Sequence, residues 1–177
     1  MKGHAEQPMR RIITAAVAAT ITLSLPSCGV FTSEAYRERN PLTPEQAKAQ
    51  VVDAAKEIVS ITDLKVDKAW VELASCNDQG EAPFRGTVVI HYQPASSAAE
   101  DRAITDSIVG RLTAAGWSSD AGFHSYAPAL HKDGVSVLVY GQGPGQHGSL
   151  MDIRGECRDV TSTKETSGDS EQIDLGR

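Results

Sequence analysis

Residues 97–117 read SAAEDRAITDSIVGRLTAAGW and carry the clearest helical pattern in the chain. Ser97 and Glu100 have the spacing of a capping box, in which each side chain bonds a backbone N–H at the start of a helix. Apolar residues then recur every four positions, which places them on one helical face: Ile104, Ile108 and Leu112. Gly116 suits the C-terminal stop of this helix. The pattern predicts a helix over 98–115 that must bury one apolar stripe.

The chain before this helix has the pattern of another helix followed by a β-hairpin. A Thr-x-x-Gln capping box begins at Thr43, and apolar residues follow it at spacings of three and four, which predicts a helix over 44–60. Residues 66–75 alternate between apolar and polar side chains, and residues 85–93 are rich in β-branched and aromatic ones. We therefore expect two strands that pair with each other.

The chain after residue 117 has the pattern of β-structure. Residues 123–131 predict a weak strand interrupted by Pro128, and residues 135–140 predict a strong one. Residues 141–148 form a glycine-rich loop, and residues 149–158 predict a last strand.

The predicted elements follow in the order α-β-β-α-β-β-β. They indicate an α+β fold, a two-layer sandwich of two helices on an antiparallel sheet of four to five strands. The second face of that sheet is then open to solvent or to pairing with another protomer. Residues 160–177 contain few apolar side chains and predict a disordered polar tail, so the folded domain is expected at 43–159.

The amino-terminal region has the features of an export signal. Basic residues precede an apolar run at 12–25, which is too short for a membrane-spanning helix of about 20 residues. Residues 25–29, LPSCG, resemble the lipobox of bacterial lipoproteins, whose cysteine receives acyl chains such as palmitate. The resemblance implies a signal peptide over 1–27 and lipid on Cys28. An ordinary cleaved signal peptide, with an incidental cysteine, is the alternative.

The lipobox resemblance also implies a location. A mature protein lipidated at Cys28 is anchored on the outer, extracytoplasmic face of the cytoplasmic membrane. Residues 28–42 then read as a tether, because they show no helical or strand period. A flexible segment of this length reaches roughly 20 Å on average, so we expect the domain close to the membrane.

The three cysteines of the chain fit this interpretation. If Cys28 carries lipid, Cys76 and Cys157 remain, each near the end of a predicted strand. In an oxidising compartment we expect these two to form a disulfide. Closing a loop of about 80 residues contributes on the order of 4 kcal/mol in the chain-entropy model. A reactive thiol is the alternative, although no Cys-x-x-Cys spacing supports it.

The charge of the chain excludes some partners. Removing residues 1–27, which carry three basic residues and one acidic one, changes the net charge from −6 to −8. Nucleic-acid binding relies on Lys and Arg that neutralise phosphates, so we expect no nucleic-acid partner. A polybasic contact with anionic lipid head groups is disfavoured for the same reason.

Catalytic and cofactor motifs are absent from the sequence. The glycine-rich loop lacks the Gly-Lys-Ser/Thr ending of a P-loop, and no Gly-x-Ser-x-Gly elbow is present. Three carboxylates on the second helix are expected to be solvated: Glu100, Asp101 and Asp106. The histidines after the signal peptide lack close metal-ligand spacing: His91, His124, His131 and His147. We expect no catalytic residue, metal or cofactor.

The aromatic residues of the predicted domain are expected to pack in the core or at its rim. Alternatively, some of them line an apolar groove between helices and sheet that would accept a lipid or a peptide. They are Trp70, Phe84, Tyr92, Trp117, Phe123, Tyr126 and Tyr140.

The whole pattern resembles a family of small cell-envelope lipoproteins from mycobacteria and related actinobacteria, many of unknown function. The shared features are the lipobox, a cysteine-turn-strand segment over 76–92, a helix ending in Ala115-Gly116-Trp117, and a closing strand with its own cysteine at Cys157. The resemblance implies no catalytic residues. We therefore expect a non-enzymatic module that binds another envelope component, most simply a protein. The alternatives are a carrier of lipid or another apolar ligand, and an envelope hydrolase with an unrecognised site.

Overall fold

The structure is a computed structural model that describes residues 40–119, 125–141 and 149–176. Within these residues it contains two helices, α1 (Pro44–Thr62) and α2 (Ala98–Ala114). It also contains seven strands: β1 (Val66–Ser75), β2 (Phe84–Tyr92), β3 (Ser118–Ser119), β4 (Ala129–Lys132), β5 (Val135–Tyr140), β6 (Ser149–Arg154) and β7 (Glu171–Gln172). The predicted signal peptide and most of the predicted tether lie outside the described residues.

The strands form one antiparallel sheet in the order β3-β4-β5-β6-β2-β1-β7. The α+β class and the β1–β2 hairpin predicted from the sequence are confirmed. The strand number is higher than the expected four to five, because β3 and β7 have two residues each and are too short to leave a pattern. The predicted strands 123–131 and 149–158 are shorter in the structure, where they correspond to β4 and β6.

Helix α1 begins at the predicted capping box. The Gln46 backbone N–H donates to Thr43 Oγ1 at 3.2 Å, and the Thr43 N–H donates to Gln46 Oε1 at 2.9 Å. Asp63, with a φ of 54°, ends the helix in the left-handed region. The capping box and the Asp63 turn thus define both ends of α1. The helix packs one face against the sheet, and these residues on that face are buried: Ala47, Val51, Ala55, Ile58 and Val59.

Helix α2 begins with half of the predicted capping box. Ser97 Oγ accepts from the Glu100 N–H, but the Glu100 carboxylate accepts from the N–H of Ser96 instead of that of Ser97. Beyond the helix, Gly116 has a φ of 92°, and the Trp117 N–H donates to the Leu112 carbonyl at 3.0 Å. This turn returns the chain to the core, where Trp117 is buried.

Both helices pack on the same face of the sheet. Their buried residues join one core cluster with the inward side chains of β1, β2, β5 and β6. Most of the inward side chains are fully buried, among them Val88, Ile90, Val137, Val139, Met151 and Ile153. The opposite face of the sheet is therefore not occupied by either helix.

The predicted disordered tail is wrong for residues 160–176. Strand β7 pairs with Trp70 and Val71 of β1, and the Ile173 N–H donates to the Ala69 carbonyl at 2.9 Å. Leu175 is buried against the main core. The folded part thus extends beyond residue 159, because a few apolar contacts and backbone pairs hold an otherwise polar segment.

Candidate functional site

The helix-free face of the sheet is the main candidate surface, and we call it the open face. Side chains alternate between the two faces of a strand, so the cross-strand register assigns each residue to one face. One row across the sheet runs from Trp70 through Val89, Asp152 and Leu138 to Ala129. The neighbouring rows add Lys68, Glu72, Ala74, Arg85, Thr87, His91, Ser136, Tyr140, Leu150 and Arg154.

Aromatic side chains occupy one end of the open face. The Trp70 and His91 rings meet edge to face, with centroids 5.4 Å apart and planes at 85°. Such a contact contributes about 0.5–1.5 kcal/mol beyond the burial of the rings. Tyr140 and Leu150 follow His91 in register and, like Trp70, are partly exposed. This end of the face offers apolar contact area to a partner.

Charged side chains occupy the centre of the open face. Asp152 and Arg154 of β6 form an ion pair, in which Arg154 Nε donates to Asp152 Oδ2 at 2.8 Å. Arg85 of β2 is half-buried and makes no ion pair with any residue in the described part of the chain. Burial lowers the pKa of the Arg85 guanidinium, and the nearby charge of Arg154 lowers it further.

Two buried atoms on the open face have no hydrogen-bond partner among the residues that the structure describes. They are the Nε donor of Arg85 and the Oδ1 acceptor of Asp152. Nearly all buried polar groups in native proteins are hydrogen-bonded, so each unsatisfied group needs a physical explanation. Both atoms are enclosed by neighbouring protein atoms, so a binding partner does not reach them directly.

The disulfide joins Cys76 and Cys157, with Cα atoms 6.0 Å apart. It connects the end of β1 to the segment after β6. The adjoining turn is organised by Asn77, whose Oδ1 accepts from the N–H groups of Gln79 and Glu81 at 3.1 and 3.2 Å. A surface cleft of about 400 Å³ lies between this turn and residues 160–165. This end of the molecule is thus cross-linked and ordered.

A second cleft, of about 470 Å³, lies beside the N-terminal half of α2. Asp101 and Asp106 line it together with Tyr126, whose side chain is fully exposed. Asp101 is not simply solvated as expected, because its Oδ1 accepts from Ser149 Oγ at 3.2 Å. The described lining of this cleft holds two carboxylates and one guanidinium, that of Arg102, and therefore has a net negative charge. The glycine-rich loop from residue 142 to 148 lies outside the described residues.

The remaining sequence candidates are not brought together. His91 contacts Trp70, and His131 Nε2 lies 3.2 Å from Ser118 Oγ, while His124 and His147 lie outside the described residues. The Ser118–His131 pair is exposed on the sheet surface. Among the described residues, no cluster of three or more His, Cys, Asp or Glu side chains could hold a metal ion. No described helix is long and apolar enough to cross a bilayer.

Sequence reasoning predicted that the second face of the sheet is open but did not name the residues on it, although a signal for them was present. Val71 and Leu73 point to the core, so Trp70 has the parity of Glu72 and faces the other way. Phe84, Tyr92 and Trp117 are core residues as expected, and burial raises the pKa of Tyr92 to about 12. Phe123 lies outside the described residues. Arg85 left no signal, because its burial depends on neighbours that are distant in sequence.

Comparison with known proteins identifies similar chains. Residues 43–175 match the family described as "Putative lipoprotein LppJ". Proteins named "Putative lipoprotein LppJ" from two strains of Mycobacterium tuberculosis and from Mycobacterium bovis are each 33% identical over 124 residues. The matched region covers 69% of this chain and 64% of each relative, which is less than two thirds of their length. No solved structure matches the chain.

Proposed function

Because this chain belongs to the LppJ family of mycobacterial-type lipoproteins, we propose that it is a lipid-anchored envelope protein that binds another envelope protein through its open face. The lipid is attached to Cys28, and the anchor lies on the outer face of the cytoplasmic membrane. The family name supports membrane association through lipid, and the LPSCG motif supports the attachment site.

The observation that carries the proposal is the composition of the open face. A sheet that is covered by helices on one side leaves its other side available. Here that side holds partly exposed Trp70 and Tyr140 together with half-buried Arg85. Trp, Tyr and Arg are the residues that most often carry binding energy in protein interfaces. The same combination is unusual for a sheet face that only meets water.

A carrier of an apolar ligand is the main alternative, and the packing between helices and sheet argues against it. A carrier needs an apolar cavity of several hundred Å³ around its ligand. The corresponding space is filled by side chains that are fully buried, such as Val51, Ile58, Ile90 and Met151. We propose a non-enzymatic role, because Ser118 and His131, the described serine and histidine within hydrogen-bond reach of each other, are both exposed on the sheet surface.

Site-specific photo-cross-linking in living cells tests the proposal. A photoreactive phenylalanine analogue is placed at Leu150 or Lys68 on the open face, and at Asp53 on the exposed side of α1 as a matched control. We expect discrete protein adducts, identified by mass spectrometry, from the open-face positions and none from Asp53. Equal adducts from both faces, or none from the open face, would contradict the proposal.

A further inference from the structure

We propose that the partner presents an acidic polypeptide segment and that Arg85 receives one of its carboxylates. This inference rests on the proposed binding function and adds the chemistry of the partner. It is carried by the juxtaposition, on one sheet face, of a half-buried arginine without an ion pair to any described residue and a partly exposed aromatic pair.

The charge of the open face is opposite to that of the chain. The chain has a net charge of −6, yet its described open face carries three cations and two carboxylates. The cations are Lys68, Arg85 and Arg154, and the carboxylates are Glu72 and Asp152. Because complementary potentials guide association, a surface of this sign selects an acidic partner.

Arg85 is the position where a carboxylate fits best. Arg154 already donates to Asp152, whereas Arg85 makes no ion pair with any described residue. A guanidinium presents parallel N–H donors that match the two oxygens of a carboxylate. A half-buried, unpaired charge is unfavourable, and a carboxylate from the partner would remove that penalty.

The same surface disfavours the other anionic partners. Membranes of anionic lipid are recognised by clusters of about four to eight Lys or Arg, and nucleic acids by many phosphate contacts. The open face has a single net positive charge, and its two carboxylates repel a dense array of phosphates. A polypeptide instead supplies isolated carboxylates for Arg85 and side chains that pack on Trp70 and His91.

The test uses the lipoprotein purified intact in non-ionic detergent and defined probes. The probes are a random copolymer of glutamate and tyrosine, one of lysine and tyrosine, and vesicles that contain phosphatidylglycerol. We expect binding to the glutamate copolymer only, with an affinity that falls as salt rises. Arg85→Gln should weaken this binding at least about tenfold, since it removes one partner of a half-buried charge pair.

Two further variants separate the effect of the guanidinium's planar geometry from the effect of its charge. Arg85→Lys keeps the charge but loses the planar fork, so we expect a loss intermediate between wild type and Arg85→Gln. Lys56→Gln removes one positive charge from the exposed side of α1 and should leave the affinity within about twofold. If Arg85→Gln fails to fold, Lys68→Gln at an exposed position should still weaken binding more than Lys56→Gln does.

Several outcomes would overturn the inference. They are equal binding of both copolymers, equal effects of Arg85→Gln and Lys56→Gln, or vesicle binding that depends on Arg85. The cross-linking experiment shows whether only the acidic-partner proposal is wrong or whether the proposed binding function is wrong as well. Protein adducts on the open face without any effect of Arg85 would refute only the acidic partner, whereas absent adducts would refute the binding function itself.

Discussion

A Cβ atom at Gly86 would lie 2.1 Å from the carbonyl oxygen of Ala47. Helix α1 therefore touches strand β2 backbone to backbone, and no side chain fits between them. The contact fixes how close the helix layer lies to the sheet. Gly86 lies between Arg85 and Thr87 of β2, whose side chains belong to the open face.

Gly86→Ala should destabilise the fold by about 1–3 kcal/mol, because backbone atoms must move apart to admit one methyl group. Gly110→Ala is the matched control, since a Cβ at this exposed position in α2 meets nothing within 4 Å. Alanine should stabilise the helix there by about 0.5–1 kcal/mol. Urea unfolding monitored by circular dichroism measures both, and shifts of the same sign would contradict the close approach.

The cysteines give a prediction for the exported protein. With Cys76 and Cys157 joined across 81 residues, intact-mass analysis after alkylation should reveal no free thiol. Reduction should lower the free energy of unfolding by about 4 kcal/mol in the chain-entropy model. Two alkylatable thiols before reduction would refute the pairing.

Asp159 should make stability depend on pH. Its side chain is buried, which by itself raises the pKa, but hydrogen bonds from Ser162 and Thr161 hold the pKa below its ordinary value of 3.8. A carboxyl group with a lowered folded-state pKa stabilises the fold above the unfolded pKa. That stabilisation is lost as pH falls through the folded pKa.

Asp159→Asn should therefore cost about 2 kcal/mol at pH 7, where charged hydrogen bonds are lost. The difference from wild type should shrink below about pH 4 as the wild-type carboxyl becomes protonated. Unfolding curves between pH 3 and 7 measure the difference. A cost that stays constant over this range would show that the charge of Asp159 is not responsible.

The ordered C-terminal segment predicts an effect that a disordered tail would not show. Leu175 is buried against the main core, so Leu175→Ala should destabilise the fold by about 2–3 kcal/mol. Asp169→Ala, at an exposed position in the same segment, should have no measurable effect. Thermal unfolding compares the two, and equal melting temperatures would mean that the segment does not pack.

The anchor can be tested by a single substitution. Cys28→Ser removes the thiol that receives lipid, so the protein should leave the membrane fraction. Mass spectrometry of the wild-type protein should show an acylated N-terminal cysteine and no trace of residues 1–27. A wild-type protein without acyl chains on Cys28 would refute lipid anchoring at this residue.

Local sequence patterns predicted the helices and the long strands well, because capping boxes and hydrophobic periods within each element specify them. The Thr43 capping box and the four-residue period from Ile104 to Leu112 lie within single elements, and both formed. The C-terminal segment was missed, because Ile173 and Leu175 gain partners only through contacts with distant parts of the chain. The unpaired state of Arg85 likewise depends on the position of β6 beside β2. The sequence pattern of one helix or strand does not show which distant residues will lie beside it.

Strand β7 also affects how copies of the protein meet. Strand β1 is ten residues long, and its outer edge would otherwise be a template for a strand from another molecule. Strand β7 pairs with the middle of that edge. Its residue Glu171 also forms an ion pair with Lys48 of α1. At a membrane surface, where tethered molecules are crowded in two dimensions, this short strand would oppose edge-to-edge aggregation. The polar end of the chain thereby helps to keep each molecule separate and its open face available.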